Sequence, residues 1–385
     1  MRVIFLYPYL PSPDAGHGSA RLVSRLLADL SDVAEITLVC AYRPGERHLL
    51  DSVRPLCHDL RAVERRFSTD MGPVRRTTER GTTGLRMLST GFPVSVVKLR
   101  RSGIRRALRE ALQARSYDLA HVEQSTMGQY VDQLPPGLPS VLVDHEAGGS
   151  GDDASRWASY VRKIYPLFSQ RLVLSAEDGA DLERLVPGLS VGVRPPGIVV
   201  PPEVRRDPDP DRVLFFGSPG HAPNRDSLDW IVQDVFPALQ QRRPSVKMVC
   251  AGFPRDDAAA LRAAAAGVEV LGFVDDLATE LTRAAAVLSP VRLGRGVRIK
   301  NLEALAHGVP LVTTGLGHRG LGEVPDHVVR TAEDSEGLAA AVAALLGDRE
   351  AAESAAAEGR AAVSELFTFE RQATITADTW RALLR

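Results

Sequence analysis

Three observations predict an α/β chain with two parallel-sheet domains. Short apolar runs rich in β-branched residues alternate with helical-period segments along nearly the whole sequence, the pattern of parallel sheets covered by helices on both faces. At 385 residues the chain exceeds what one compact core serves and suits two domains of roughly 150 to 200 residues. A Pro-rich interruption near 195–211 divides the alternation into halves.

In the first half, 3–6, 35–40, 118–123, 141–144 and 172–175 read as strands. Between them, Leu22, Val23, Leu26, Leu27 and Leu30 fall on one helical stripe, and Ile104, Ala107, Leu108, Ala111 and Leu112 on another. The second stripe turns Arg105, Arg106 and Arg109 outward. The interruption carries Pro195-Pro196-Gly197, Pro201-Pro202 and an Asp-Pro-Asp-Pro-Asp run over 207–211, which cannot continue a helix or a central strand. It is read as the interdomain linker, with domains over 1–205 and 206–366. Its Asp-x-Asp spacing could ligate a divalent metal, but prolines in a linker are the favoured explanation of the run. The strand pattern restarts at 213–217 and recurs at 246–252, 268–271, 286–290 and 309–313. Ala-rich helices near 335–347 and 349–365 close this half. Residues 367–385, good helix formers with Trp380, are expected to pack back on the first domain. No period of 20 to 50 residues recurs, which argues against a solenoid.

A net charge of -1 hides an asymmetry: residues 61–110 hold 13 Arg or Lys against 4 acids. Such an excess suits an acidic membrane surface, a nucleic acid or an anionic acceptor, and also suits a solvated helical face. It shows no amphipathic helix with large aromatics on its apolar face, which favours a soluble acceptor. Cys40, Cys57 and Cys250 have no CxxC spacing and form an odd number, against a disulfide framework or a zinc site. With neither a signal-peptide pattern nor an apolar run of about 18 residues, a cytoplasmic location is expected.

The run 294–308 is the most informative stretch: a Gly/Arg loop feeds an amphipathic helix carrying Glu303, then Gly308 and a short apolar strand. A loop entering a helix N-terminus gathers backbone N–H groups and the positive dipole end where an anion such as a diphosphate binds. Arg295, Arg298 and Lys300 add formal charge, and Glu303 could accept both hydroxyls of a ribose. An ordinary βαβ crossover with a solvated basic start is the competing reading. Gly16-His17-Gly18 precedes the first helix, where glycines admit a ligand to the backbone, yet the full GxGxxG is absent and a plain βα turn fits as well. Asp144-His145-Glu146, before Gly148-Gly149, follows a strand's carboxyl end, where open α/β sheets bind ligands. His145 there orients a substrate hydroxyl or a partial charge, or simply caps backbone. No second histidine stands at metal-ligand spacing, so no metal is proposed. The stretch 217–225 leaves the first strand of the second half, with Arg225 a candidate phosphate contact and Asn224 a cap or donor, or as a whole only a turn.

Together these pieces resemble the group-1, family-4-type retaining glycosyltransferases of the GT-B fold. The resemblance covers most of the chain and is strongest over 213–321. Gly217-Ser218, His221-x-Pro223-Asn224 with Trp230 six residues on, Ala251-Gly252, Gly272-Phe273-Val274-Asp275, Ser289-Pro290 and the 294–308 run occur in the family's order. Thr313-Thr314 and Gly317-His318-Arg319-Gly320-Leu321 complete it. The resemblance implies two Rossmann-like domains facing across a cleft. The C-terminal one would hold a nucleotide-diphosphate sugar, and the N-terminal one a hydroxyl acceptor, a natural-product core or a cell-surface glycan precursor. On that reading Glu303 takes the ribose hydroxyls, and Arg298, Lys300 and the loop backbone neutralise the diphosphate. Gly217, His221, Asn224 and Arg225 belong to the donor site, Gly16 and Gly18 close over the phosphates, and His145 lies near the reacting sugar as the catalytic candidate.

No cofactor or obligatory metal is implied, because the leaving diphosphate can take the acceptor's proton while bound to cations. Protein groups then position reactants and stabilise charge in an oxocarbenium-like transition state, which fits a chain with no evident carboxylate dyad. A nucleic-acid partner is not expected; peripheral membrane contact through 61–110 is left open. The sequence departs from the family at one position: many members carry glutamates eight residues apart, and the earlier of the two is here Arg295. That substitution bears on sugar-ring recognition. It keeps in view a catalytically silent nucleotide-sugar-binding partner, beside a pseudo-glycosidic coupling enzyme or a sugar-nucleotide epimerase on the same fold.

Overall fold

The structure is a computed structural model that describes residues 1–15, 18–65, 73–145, 153–322, 324–325 and 327–385; for 73–76, 79 and 80 the backbone alone is described. Gly16, Glu146, Gly148 and Gly149 lie outside the described residues. The chain divides into two units, Met1–Gly197 with Phe369–Arg385, and Ile198–Thr368.

The first unit is built on β1 (Arg2–Leu6), β2 (Glu35–Tyr42), β3 (Asp59–Glu64), β4 (Leu119–Glu123), β5 (Ser140–Asp144), β6 (Gln170–Val173) and β7 (Gly192–Val193). These form one sheet in the order β3-β2-β1-β4-β5-β6-β7, parallel throughout. Buried strands alternate their side chains between two covered faces. Ile4, Leu6, Ala120, Val122 and Leu142 point into one core with Leu108 and Tyr160, while Phe5, His121 and Glu123 point the other way. Helix Gly18–Ser31 buries Val23, Leu26, Leu27 and Leu30, and helix Ser102–Ala114 buries Ile104, Ala107, Leu108 and Ala111, on the stripes the spacing predicts. The C-terminal helix, Phe369–Leu383, returns to this unit and packs with helix Gly18–Ser31.

The second unit holds β8 (Asp209–Phe216), β9 (Lys247–Ala251), β10 (Glu269–Gly272), β11 (Ala284–Ser289), β12 (Leu311–Thr313) and β13 (Val329–Thr331), ordered β10-β9-β8-β11-β12-β13. Val213 and Phe215 enter one core with Leu228 and Met248; Leu214 and Phe216 enter the other with Leu302 and Leu305. Each sheet reverses its strand order once, between β1 and β4 and between β8 and β11. The carboxyl ends at such switch points are where open α/β sheets take ligands.

Two features differ from the linker reading. The Asp-Pro-Asp-Pro-Asp run is not wholly linker, because β8 begins at Asp209 and includes Pro210. Pro210 is tolerated since pairing with β9 starts only at Arg212, and the β8–β11 register shifts between Ala284 and Ala286; a proline at a strand's first residues removes no ladder bond. Its acids bind cations of the protein itself: Asp209 pairs with Lys247 at 2.7 Å and Asp211 with Arg243 at 2.6 Å. The division between units falls at Gly197/Ile198, where Ile198 is buried in the second unit's core and its N–H donates to the Phe367 carbonyl at 2.8 Å.

Candidate active site

At the β8/β11 switch point two loops meet. The first, 217–221, leaves β8 and enters helix Ala222–Trp230; the second, 290–298, leaves β11 and enters helix Ile299–Ala306. Gly294 has φ of +96°, open to glycine at little cost, and a Cβ there would lie 3.3 Å from Pro223 and 3.5 Å from the Arg298 guanidinium. Arg298 braces this turn from beneath, its Nη1 donating to the Arg295 carbonyl at 2.6 Å and its Nη2 to the Leu293 carbonyl at 3.3 Å. Gly217 admits Asn224, whose side chain would lie 2.7 Å from any Cβ at that position.

Asn224 joins the loops: its Nδ2 donates to the Ser218 carbonyl at 3.0 Å and its Oδ1 accepts from Lys300 Nζ at 3.2 Å. The Lys300 ammonium also sits 4.6 Å from the Phe215 ring centre. Burial, and then the neighbouring Arg298, lower the Lys300 pKa to about 7. His221 is likewise lowered, by desolvation of its ring and by the charges of Arg298 and Lys300. An anion would relieve that crowding of positive charge. Lys300, Glu303 and His307, spaced three and four apart, form the partly open face of helix Ile299–Ala306. The intervening Asn301, Leu302, Ala304, Leu305 and Ala306 are buried. Asn301 ties the helix to the Gly317 carbonyl at 2.8 Å.

Arg225 does not join this group. Its Nη1 and Nη2 form a bidentate pair with Asp257 at 3.0 and 2.7 Å, and its Nε donates to the Pro219 carbonyl at 2.8 Å. All three nitrogens thereby hold the 217–221 loop against the start of helix Ala258–Ala265, which Asp257 caps.

In the first unit, Glu123 ends β4 and Val143 lies beside it in β5, so His145, two residues past Val143, emerges on the same face. His145 Nε2 lies 2.6 Å from Glu123 Oε1. Glu123 further receives Arg194 Nη2 at 2.5 Å on Oε1 and Nη1 at 3.2 Å on Oε2, with His121 Nε2 at 2.7 Å from Oε2. Trp380 of the C-terminal helix donates to His121 Nδ1 at 3.0 Å, and Phe5 stacks on the same imidazole. The side chains of Glu123, His121 and Arg194 are at most 1% exposed, whereas His145 is 20% exposed; only His145 leads outward from the cluster. Burial pushes the Glu123 carboxyl up, but Arg194, His121 and His145 more than offset it and hold it well below the usual carboxylate range. Asp144 takes the opposite face and accepts from Tyr165 at 2.7 Å in the core, so it serves packing rather than the site. Gly18 opens helix Gly18–Ser31, and a Cβ there would meet only open space.

Glu123, Arg194 and His121 are not singled out by the sequence reading. The one available signal is the His-x-Glu spacing at a strand's carboxyl end, which puts both side chains on one face. In the basic region, helix Pro73–Thr90 exposes Leu85 and Leu88 beside Arg86. Among the described residues no helix is long and apolar enough to cross a membrane, and no group of three His, Cys, Asp or Glu side chains is arranged to hold a metal ion.

Residues 210–348 match the model of the glycosyl transferases group 1 family. No curated protein matches the chain in sequence. The fold is shared with sucrose-phosphate synthase from Thermosynechococcus elongatus at a TM-score of 0.72 and 16% identity, covering 99% of this chain and 98% of that one. It is also shared with Anabaena HepE in complex with UDP and glucose, at 0.67 and 15%, over 99% and 100% of the two chains. A TarM variant from S. aureus, in complex with fondaparinux, alpha-GlcNAc-glycerol and UDP, superposes at 0.69 with 9% identity over 100% and 99%.

Proposed function

We propose that this GT-B chain, whose residues 210–348 form a group-1 glycosyltransferase domain, is a retaining glycosyltransferase that moves a sugar from a nucleotide-diphosphate sugar to a hydroxyl acceptor. The observation that carries the donor half is the gathering of Lys300, Arg298 and the amino end of helix Ile299–Ala306 at the β8/β11 switch point. That helix end offers backbone N–H groups and a positive dipole to a diphosphate. Lys300 supplies a charge that an anion would stabilise, and Glu303, on the same helix face, suits the two hydroxyls of a ribose. The HepE and TarM structures, which carry UDP, support a nucleotide as the ligand of this fold.

Departure of the sugar leaves charge on the diphosphate, and cations already fixed beside the loop lower that barrier without reorganisation. In our reading Arg298 and Lys300 do the neutralising that a divalent metal does in other transferases. The diphosphate then accepts the proton of the attacking hydroxyl, and His145 meets the reacting sugar. Gly16, Gly18, Gly217, His221 and Asn224 are assigned to the donor's surroundings, and Arg225 to holding the 217–221 loop.

The test is release of nucleoside diphosphate from a panel of donors, with and without acceptors and with a chelator present. Acceptor-dependent, chelator-resistant release and a product of unchanged anomeric configuration are expected. Glu303→Ala should weaken donor binding by about 1.5–3 kcal/mol, roughly ten- to a hundredfold in Kd, while His145→Ala should lower turnover with donor affinity kept. Unchanged donor affinity in Glu303→Ala would withdraw the ribose assignment. Arg295, exposed in the 290–298 loop, sustains a second reading, a silent nucleotide-sugar-binding partner. Tight donor binding with no turnover across the acceptor panel would identify it.

A further inference from the structure

We infer that Glu123 is a positioning residue that fixes which nitrogen of His145 carries the proton, holding the ring as its Nε2–H tautomer and leaving the Nδ1 lone pair to accept a substrate hydroxyl. The inference rests on the reading of His145 as the group that meets the reacting sugar.

It follows from counting donors and acceptors. An ionised carboxylate has about four acceptor sites and nothing to donate. Two sites of Glu123 receive Arg194, whose guanidinium only donates. A third faces His121 Nε2, and the state of that ring is settled from its far side. The indole Nε1–H of Trp380 is donor only, so His121 Nδ1, 3.0 Å away, must be the lone pair. The proton of neutral His121 is therefore on Nε2 and points at Glu123; burial of the ring also disfavours its charged form. The fourth site, on Oε1, lies 2.6 Å from His145 Nε2. Bidentate Arg194 keeps the carboxylate ionised, and an ionised carboxylate cannot donate. His145 Nε2 is thus the donor.

Three features separate this from a generic core ion pair. The carboxylate is sealed from solvent while the His145 ring is not, so Glu123 acts through His145 rather than on a substrate. No described residue bonds His145 Nδ1. Gln124, immediately after Glu123, is the one non-glycine among the described residues with positive φ, +79°. Such strain gathers at functional sites, where the surroundings over-determine the backbone.

Two-bond 1H–15N correlation spectra of histidine-labelled, full-length protein at about pH 8.5, some two units above the ordinary histidine pKa, report the tautomer directly. His145, assigned by the loss of its signals in His145→Ala, should read as Nε2–H, and so should His121. In Glu123→Gln, if circular dichroism shows the fold kept, the Nδ1–H form of His145 should grow. Its kcat should then fall roughly tenfold or more, with the donor KM changed by less than about twofold. A wild-type His145 in the Nδ1–H form would overturn the inference, and that spectrum decides even if Glu123→Gln does not fold. The parent reading fails separately: His145→Ala with full turnover removes the substrate role of His145, whatever its tautomer. An inactive His145→Ala combined with an Nδ1–H wild type removes only the inference about Glu123.

Discussion

The Trp380 indole N–H donates to His121 Nδ1 at 3.0 Å, across 259 positions of sequence. Trp380 is completely buried, so its body fills the packing between the C-terminal helix and the sheet while its one polar atom completes the His121–Glu123 cluster. The two contributions can be separated. Trp380→Phe retains most of the ring but leaves Nδ1 buried and unpaired, an expected loss of about 1–3 kcal/mol. Trp380→Ala adds the cavity and should cost about 3–5 kcal/mol. Urea unfolding of both variants checks the order, and a Trp380→Phe protein as stable as the wild type would mean that the hydrogen bond contributes nothing.

Lys300, placed at the diphosphate by the proposed function, is expected to make donor binding depend on pH in a defined direction. Its pKa is about 7 in the free protein, and a bound diphosphate favours the ammonium. Above about pH 7, binding must therefore draw in a proton, and affinity for a nucleotide sugar should fall as pH rises from about 7 to 9. Calorimetry in two buffers of different ionisation enthalpy should show net proton uptake at about pH 8 that disappears in Lys300→Met; no uptake in the wild type would refute the assignment. The stability effect has its own sign. Because the folded pKa lies below the unfolded value, the unfolded chain binds the extra proton between about pH 7 and 10.4, so this group's contribution to stability rises with pH across that window.

Gln124 holds φ of +79° and ψ of +133°, a conformation that costs a side-chain-bearing residue about 1–3 kcal/mol. Glycine removes the strain but gains about 0.5–1 kcal/mol of unfolded-state freedom. Gln124→Gly is accordingly expected to stabilise the protein by about 1 kcal/mol, with Gln124→Ala giving no gain. Denaturation midpoints test this, and a glycine variant no better than the alanine one would mean that the backbone is not strained.

The sequence makes interior strands visible, but of the four sheet edges it shows only β10. Every strand flanked on both sides was legible as an apolar run, since burial on both faces demands one. The strands not anticipated, β3, β7 and β13, all lie at sheet edges. β3 is half-buried along almost its whole length, β7 has two residues, and β13 has two exposed residues of three. The site divides in a similar way. Lys300, Arg298 and Glu303 are close in sequence, and helical spacing alone sets their relation. The cluster behind His145 draws on residues 121, 123, 194 and 380, which only the tertiary fold assembles. Arg225 was legible as a cation beside a strand end, but Asp257, thirty-two residues away, decides where its guanidinium points.

The return of helix Phe369–Leu383 to the first unit reverses the usual order of maturation on the ribosome. Domains generally fold as they emerge, amino-terminal first. Here β1 to β7 are synthesised well before Trp380, the residue that completes their polar cluster, with the whole of Ile198–Thr368 translated in between. The second unit can close while the first still exposes His121 and the apolar surface awaiting the last helix. That interval is a window for chaperone capture. A nascent chain therefore completes the unit Ile198–Thr368 before the one that carries His145.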